Sequence, residues 1–132
     1  MKIYIAAPLA AAPVVQQTRD LLIAAGHEIT YDWTRDMSFV EGFATDPEKS
    51  AQLATMMISA VLRADAVVVL ATEHDGRGMF VELGVALAQA EGGRVCSVAV
   101  VGPIRHESVF FHHPLAQRYE RVDEWLLDLA TT

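Results

Sequence analysis

One carboxylate in this sequence, Glu82, stands where it could act as a nucleophile. It follows a glycine-containing loop, residues 75–78, near the start of a predicted helix. The free amides and dipole at a helix N-terminus favour an anion and would keep this carboxylate ionised. Breaking a glycosidic bond gives the anomeric carbon oxocarbenium character, which a nearby carboxylate stabilises and then captures. The alternative is that Glu82 only stabilises the start of the helix.

Three charged residues near this loop or on the first predicted helix are candidates for supporting roles. Asp75 could protonate the leaving base as a general acid, or it could simply favour a turn at Asp75-Gly76. Arg77 could bind a 5′-phosphate or the base, or it could be a solvated loop arginine. Arg19, on the first predicted helix, is a second phosphate candidate with the same alternative. Asp65 begins a predicted buried strand, so we expect it to bind nearby backbone amides.

The elements that must position these residues alternate between strand-like and helix-like patterns. This alternation predicts one α/β domain, residues 1–132, with a flavodoxin-like (Rossmann-like), doubly wound sheet of about five parallel strands. Predicted strands cover residues 2–7, 27–31, 66–71 and 94–101, with a short fifth strand near Tyr119. Predicted helices cover residues 13–25, a segment from a capping box at 45–48, 79–90 and 122–130. Right-handed crossovers then favour the strand order 2-1-3-4-5.

Ligands of such sheets bind at the carboxyl ends of the strands, at the point where the strand order reverses. Here that point lies between the first and third strands. It brings Ala7 and Pro8 beside the loop 72–78 and the helix that carries Glu82. The predicted substrate-binding residues are Ala7, Pro8, Arg19, Gly76, Arg77, Gly78 and Met79.

Four segments resemble the nucleoside 2-deoxyribosyltransferase family. Residues 78–88 are similar to the nucleophile segment of that family, in which Glu-Leu-Gly follows a glycine and opens a helix of small residues. Residues 2–8 resemble its first strand and loop, and residues 64–70 resemble its central strand. Residues 110–114 are similar to a late loop in some bacterial members. The resemblance runs in order over nearly the whole chain.

This resemblance implies a double displacement without a cofactor. Glu82 would attack C1′ and release the base, and a second base or water would then collect the sugar. Tyr4 would bind and orient Glu82, although it could also be an ordinary strand aromatic. The sequence departs from the family at Met57, where members often carry an acid that contacts the base. The aspartate that transferases often carry before the glycine is also displaced, to Asp75.

Several functions stay open at this stage. Transfer of a 2′-deoxyribosyl group between bases is the first hypothesis, and hydrolysis of (deoxy)nucleoside 5′-monophosphates is the alternative. The absence of a base-contacting acid at Met57 slightly favours the hydrolase. Remoter possibilities are a non-catalytic nucleotide-binding module and cleavage of NAD. We expect 2′-deoxyribosyl substrates to be preferred, because a 2′-hydroxyl would crowd the attacking carboxylate and withdraw electrons from the oxocarbenium ion.

Composition narrows the classes of partner. The net charge is −7 without a Lys/Arg run, which argues against nucleic acid. No apolar run approaches ~18 residues, so we expect no membrane span and a cytoplasmic protein. The only cysteine, Cys96, is predicted to be a buried strand thiol. His74, His112 and His113 match no zinc-ligand spacing, so we expect no metal.

We also expect a homo-oligomer, at least a dimer, because the helices carry several apolar faces. Related enzymes complete their sites from a neighbouring subunit. The loop 110–114, or the last helix with Trp125, could supply that contact. The aromatics Trp33, Phe39 and Phe43 could stack on a base or pack beneath a long loop.

Overall fold

A parallel five-stranded sheet with the order β2-β1-β3-β4-β5 carries the site. A computed structural model describes residues 1–131, with every side chain except that of Phe43. The strands are β1 Lys2–Ala6, β2 Glu28–Ile29, β3 Ala66–Leu70, β4 Ser97–Val101 and β5 Ala116–Tyr119. The predicted fold class and strand order are therefore confirmed.

Helices cover both faces of this sheet. They are α1 Ala12–Ala24, α2 Phe39–Gly42, α3 Pro47–Arg63, α4 Arg77–Glu91 and α5 Val122–Ala130. Right-handed crossovers in this strand order place α3 and α4 on one face and α1 on the other. α5 follows the last strand, and its Trp125 binds Ser97 on the face of the sheet away from Tyr4 and α4. Short 3-10 turns lie at Leu9–Ala11, Trp33–Arg35, Phe43–Thr45 and Val109–His112.

The core lies along β1, β3 and β4. Every residue of β3 is buried, as expected for a central strand covered on both faces. Leu83 of α4 fills one side of the sheet, while Leu22 of α1 and Trp125 of α5 fill the other. Asp65 binds the backbone amide of Lys2 at 2.8 Å, which ties β3 to β1 and confirms its structural role.

Two details predicted for helix starts on the site face were wrong, the first residue of α4 and the residue that caps α3. α4 begins at Arg77, so Arg77 and Gly78 belong to its first turn and not to a loop. α3 is capped by Asp46, whose Oδ1 accepts from the Lys49 amide at 3.0 Å, whereas Thr45 donates to the Gly42 carbonyl. The segment predicted as loop between β2 and α3 also contains short helical turns.

Cys96 is exposed, so the prediction of a buried strand thiol was wrong. β4 begins only at Ser97, because a turn with Gly93 at φ 75° separates it from α4. Within residues 1–131, none of the helices is long and apolar enough to cross a membrane. The same residues contain no group of three or more His, Cys, Asp or Glu placed to hold a metal ion.

Candidate active site

The structure brings Tyr4 and Glu82 together inside the protein. Tyr4 lies in β1, and Glu82 is the sixth residue of α4. The Tyr4 hydroxyl donates a hydrogen bond to Glu82 Oε2. Tyr4 is fully buried and Glu82 keeps 8% of its surface exposed. The contact spans 78 positions in the sequence, so it depends on the packing of α4 across β1.

Burial sets the protonation of this pair. Loss of solvent raises the pKa of Glu82 to about 7, and the hydrogen bond from Tyr4 acts in the opposite direction. The expectation that a helix N-terminus keeps Glu82 ionised was wrong, because Glu82 lies in the second turn and desolvation dominates. Burial and the neighbouring carboxylate both raise the pKa of Tyr4, so its hydroxyl stays protonated and remains a donor.

A Tyr4→Phe variant should lower the rate by ~10–100-fold, the worth of one hydrogen bond to a charged group. It should also raise the pKa of Glu82, because the hydrogen bond that lowers this pKa is lost. In the wild type, kcat/KM should rise with pH to a plateau with a midpoint near 7, the pKa of Glu82. In the variant the midpoint should move to higher pH. An unchanged rate and an unchanged midpoint would show that Tyr4 does not act on Glu82.

The glycine segment at the start of α4 lies directly against the loop after β1. A Cβ added at Gly76 would sit 3.0 Å from Pro8 Cα, so the backbones are in contact there. Ala7, Pro8 and Met79 are buried around this contact. Gly78 faces open space, with nothing within 4 Å of an added Cβ. No side chain caps the start of α4, so the amides of its first turn have no side-chain acceptor.

The two candidate arginines differ in their environment. Arg77 is exposed and forms no ion pair with any residue from 1 to 131. Arg19 binds Asp32 at 2.8 Å and Asp20 at 3.0 Å. Two carboxylates therefore offset the charge of Arg19, whereas the charge of Arg77 is available to an anion at the start of α4.

Asp75 lies just before the start of α4 and bonds within its own turn. It is exposed, and its Oδ1 accepts from the Gly76 amide at 2.9 Å. It also borders a small cavity whose lining includes Thr72, Phe80 and Phe111. A turn-forming role is thus observed, and its role as general acid stays a prediction.

Tyr31 is a residue that the sequence did not single out. It lies just beyond β2, is half-buried and packs against the core. Burial and Glu82 raise the pKa of Tyr4 most, and an electrostatic interaction with Tyr31 raises it further. The two phenols therefore lie near each other. Its position at the carboxyl end of a predicted strand next to β1 is the signal that could have identified it.

The other aromatics are divided between core and surface. Trp33 is buried and donates its Nε1 to the Ile5 carbonyl at 3.1 Å, so it packs beneath the loop and does not stack on a base. Phe39 is half-buried, and the side chain of Phe43 lies outside the described part of the structure. Trp125 is fully buried against Ser97, so its own side chain is not exposed, and a subunit contact through the rest of α5 or through the loop 110–114 stays a prediction.

The strand order and the buried pair together define a flavodoxin-like α/β domain with a carboxylate at its switch point. The solved structure of BcmB, a CMP N-glycosidase from Clostridium botulinum, is similar over 100% of both chains, with a TM-score of 0.61 and 14% sequence identity. No protein-family model matches the chain, and no curated protein matches it in sequence. At this level of identity the similarity establishes the fold.

Proposed function

We propose that this protein hydrolyses the N-glycosidic bond of a nucleoside 5′-monophosphate through a covalent glycosyl-Glu82 intermediate. The observation that carries the proposal is the buried Tyr4–Glu82 pair at the switch point of the sheet, where ligands of this fold bind. The similarity in fold to a CMP N-glycosidase supports the same reaction class.

The pair has the parts that a double displacement needs. Tyr4 binds Oε2 of Glu82, which leaves Oε1 to form a bond to C1′. As the C1′–N bond breaks, its electron pair passes to the base, which takes up a proton from Asp75 or from water. Water then attacks C1′ and gives up a proton, which restores Asp75 or neutralises the hydroxide left by the first step. This breaks the ester, returns Glu82 as a carboxylate and yields the free sugar phosphate. Since Tyr4 stays protonated throughout, it orients the carboxylate and does not shuttle the proton.

The start of α4 supports a phosphorylated substrate. Uncapped first-turn amides and a helix dipole form an anion-binding site, and Arg77 adds an unpaired cation at the same place. The contact of Gly76 with Pro8 draws the loop after β1 to this point, so one ligand could bridge phosphate site and nucleophile. Arg19 is a weaker candidate because Asp32 and Asp20 already bind it.

Hydrolysis is favoured over transfer by the residue at position 57. A transferase binds a second base as acceptor, and the family resemblance places a base-contacting acid where this chain has Met57. Met57 is half-buried and packs against the core, so it offers no hydrogen bond to an incoming base. Water needs no such contact.

The test is incubation with ribo- and deoxynucleosides and their 5′-monophosphates, with and without an acceptor base, followed by chromatography. Free base and sugar phosphate from a monophosphate support the proposal. A new nucleoside that forms only with the acceptor would show the transferase instead. Binding without cleavage would show a nucleotide-binding module. The expected preference for 2′-deoxyribosyl substrates is read from the same panel.

Replacing Arg77 by Ala should lower kcat/KM for the 5′-monophosphate by ~10–100-fold, the worth of a hydrogen bond between charged groups. The value for the unphosphorylated nucleoside should not change. Arg121→Ala is the matched control, because Arg121 is an exposed arginine beside the edge strand β5. Equal kcat/KM for nucleoside and monophosphate in the wild type would eliminate the phosphate site. A preference for the 5′-monophosphate that persists in Arg77→Ala would show that the phosphate binds elsewhere.

A further inference from the structure

Tyr31 has a hydroxyl that no other group in the described part of the chain binds. The other two tyrosine hydroxyls are both occupied: that of Tyr4 binds Glu82, and that of Tyr119 binds Asp128 at 2.6 Å. The Tyr31 ring is half-buried and borders an open groove of about 690 Å³ along β2, so a ligand can reach it. Its phenol is therefore a free hydrogen-bond donor on a partly packed side chain.

The backbone around Tyr31 is tied to β1 on both sides. Before it, the Thr30 amide donates to the Ile3 carbonyl at 3.0 Å. After it, the buried Trp33 indole donates to the Ile5 carbonyl at 3.1 Å. β1 is also the strand that carries the tyrosine of the buried pair, so Tyr31 is held at a fixed place relative to that pair. A donor held in this way needs little reorganisation when charge develops beside it.

The strand order determines where the base of a bound nucleotide lies, and this step rests on the proposed function. There the phosphate binds at the start of α4 and C1′ lies at Glu82. Since α4 follows β3, the phosphate is on the β3 side of β1. The base and the 5′-phosphate are attached to opposite ends of the sugar ring, so the base points toward β2, the other neighbour of β1. Tyr31 lies two residues beyond β2, with its phenol near that of Tyr4.

We propose that the Tyr31 hydroxyl donates a hydrogen bond to the departing base. As the C1′–N bond breaks, its electron pair passes into the base, and negative charge develops on a ring nitrogen or a carbonyl oxygen. A hydrogen bond to that atom is stronger in the charged base than in the bound nucleotide, so it lowers the barrier. Tyr31 keeps its own proton, and the base takes its proton from water.

Asp75, the other candidate for assisting the base, lies at the phosphate end of the site. It directly precedes Gly76 at the start of α4, and its carboxylate accepts from the Gly76 amide at 2.9 Å. By the strand-order argument, this end is on the far side of the sugar from the base. Variants of Asp75 and Tyr31 should therefore respond differently to a change of leaving base.

The test compares an ordinary base with an activated one. kcat/KM is measured for the substrate that the wild type cleaves fastest and for its activated analogue, the 5-nitro derivative of a pyrimidine or the 7-methyl derivative of a purine. A nitro group delocalises the developing charge, and a 7-methyl purine leaves without net negative charge, so either base needs less help. Tyr31→Phe should lower kcat/KM by ~10–100-fold for the ordinary base and by much less for the activated one. The aromatic ring remains, so the packing should be preserved.

Tyr119→Phe is the matched control, because it removes a hydroxyl on the opposite edge strand, β5, and should leave both values unchanged. No loss in Tyr31→Phe, or an equal loss on both substrates, would overturn the proposed contact and leave the proposed function standing. A loss that depends on the leaving base in Asp75→Asn, but not in Tyr31→Phe, would assign the role to Asp75 instead. A wild type that cleaves no member of the panel would overturn the proposed function and this inference with it.

Discussion

Glu82→Gln should lower kcat by at least ~10³-fold, the scale seen when a covalent nucleophile is removed from an active site. The amide is close in shape to the carboxylate and still accepts the hydrogen bond from Tyr4, so the pair should keep its geometry. It cannot form the ester to C1′. Turnover is measured as base released from the best substrate of the panel.

The matched control is Glu120→Gln, which makes the same change at an exposed position and should leave turnover unchanged. Circular dichroism of Glu82→Gln should match that of the wild type, which separates lost chemistry from lost folding. Full activity in Glu82→Gln would end the proposal of a glycosyl-Glu82 intermediate.

The same substitution should stabilise the protein at alkaline pH. The pKa of Glu82 is about 7 in the folded protein, against an ordinary value of 4.5. Between these two values the folded state binds more protons than the unfolded state, so the free energy of unfolding falls as pH rises. Above pH 7 the ionised carboxylate costs about 3 kcal/mol relative to pH 4. Glutamine does not titrate, so it avoids this cost.

The measurement is urea unfolding of wild type and Glu82→Gln across pH 4 to 8. The difference between the two free energies of unfolding should shift in favour of the variant by about 2–3 kcal/mol over this range. Taking the difference cancels the other titrating groups. A difference that does not change with pH would show that burial does not raise the pKa of Glu82.

The parts of the fold that the sequence predicts well are those set by local apolar pattern. The last helix was predicted at 122–130, where α5 lies, and the continuous apolar run of β3 was predicted to within one residue. The pairing of Tyr4 with Glu82 followed from the family resemblance. The two elements depend on spacing along one segment, and the strand order depends on the topology of parallel sheets.

The properties that the sequence did not predict arise from tertiary contacts. The raised pKa of Glu82 comes from packing against β1, which no local pattern contains. Cys96 shares an apolar run with β4, yet the turn before that strand exposes it. Trp33 was open to either stacking or packing, and only the position of the Ile5 carbonyl shows that it packs. The nearness of Tyr31 to Tyr4 requires the β1–β2 pairing.

The Trp33 indole also determines how the sheet ends at its β2 side. β2 contains only two residues, Glu28 and Ile29. Beyond it, the indole Nε1 donates to the Ile5 carbonyl, which a backbone amide of a longer β2 would otherwise bind. A longer β2 would expose a row of free amides and carbonyls, the template on which another chain can add as a strand. This edge instead offers only two residues for such addition. Strand-to-strand aggregation is thereby disfavoured at this edge of the sheet.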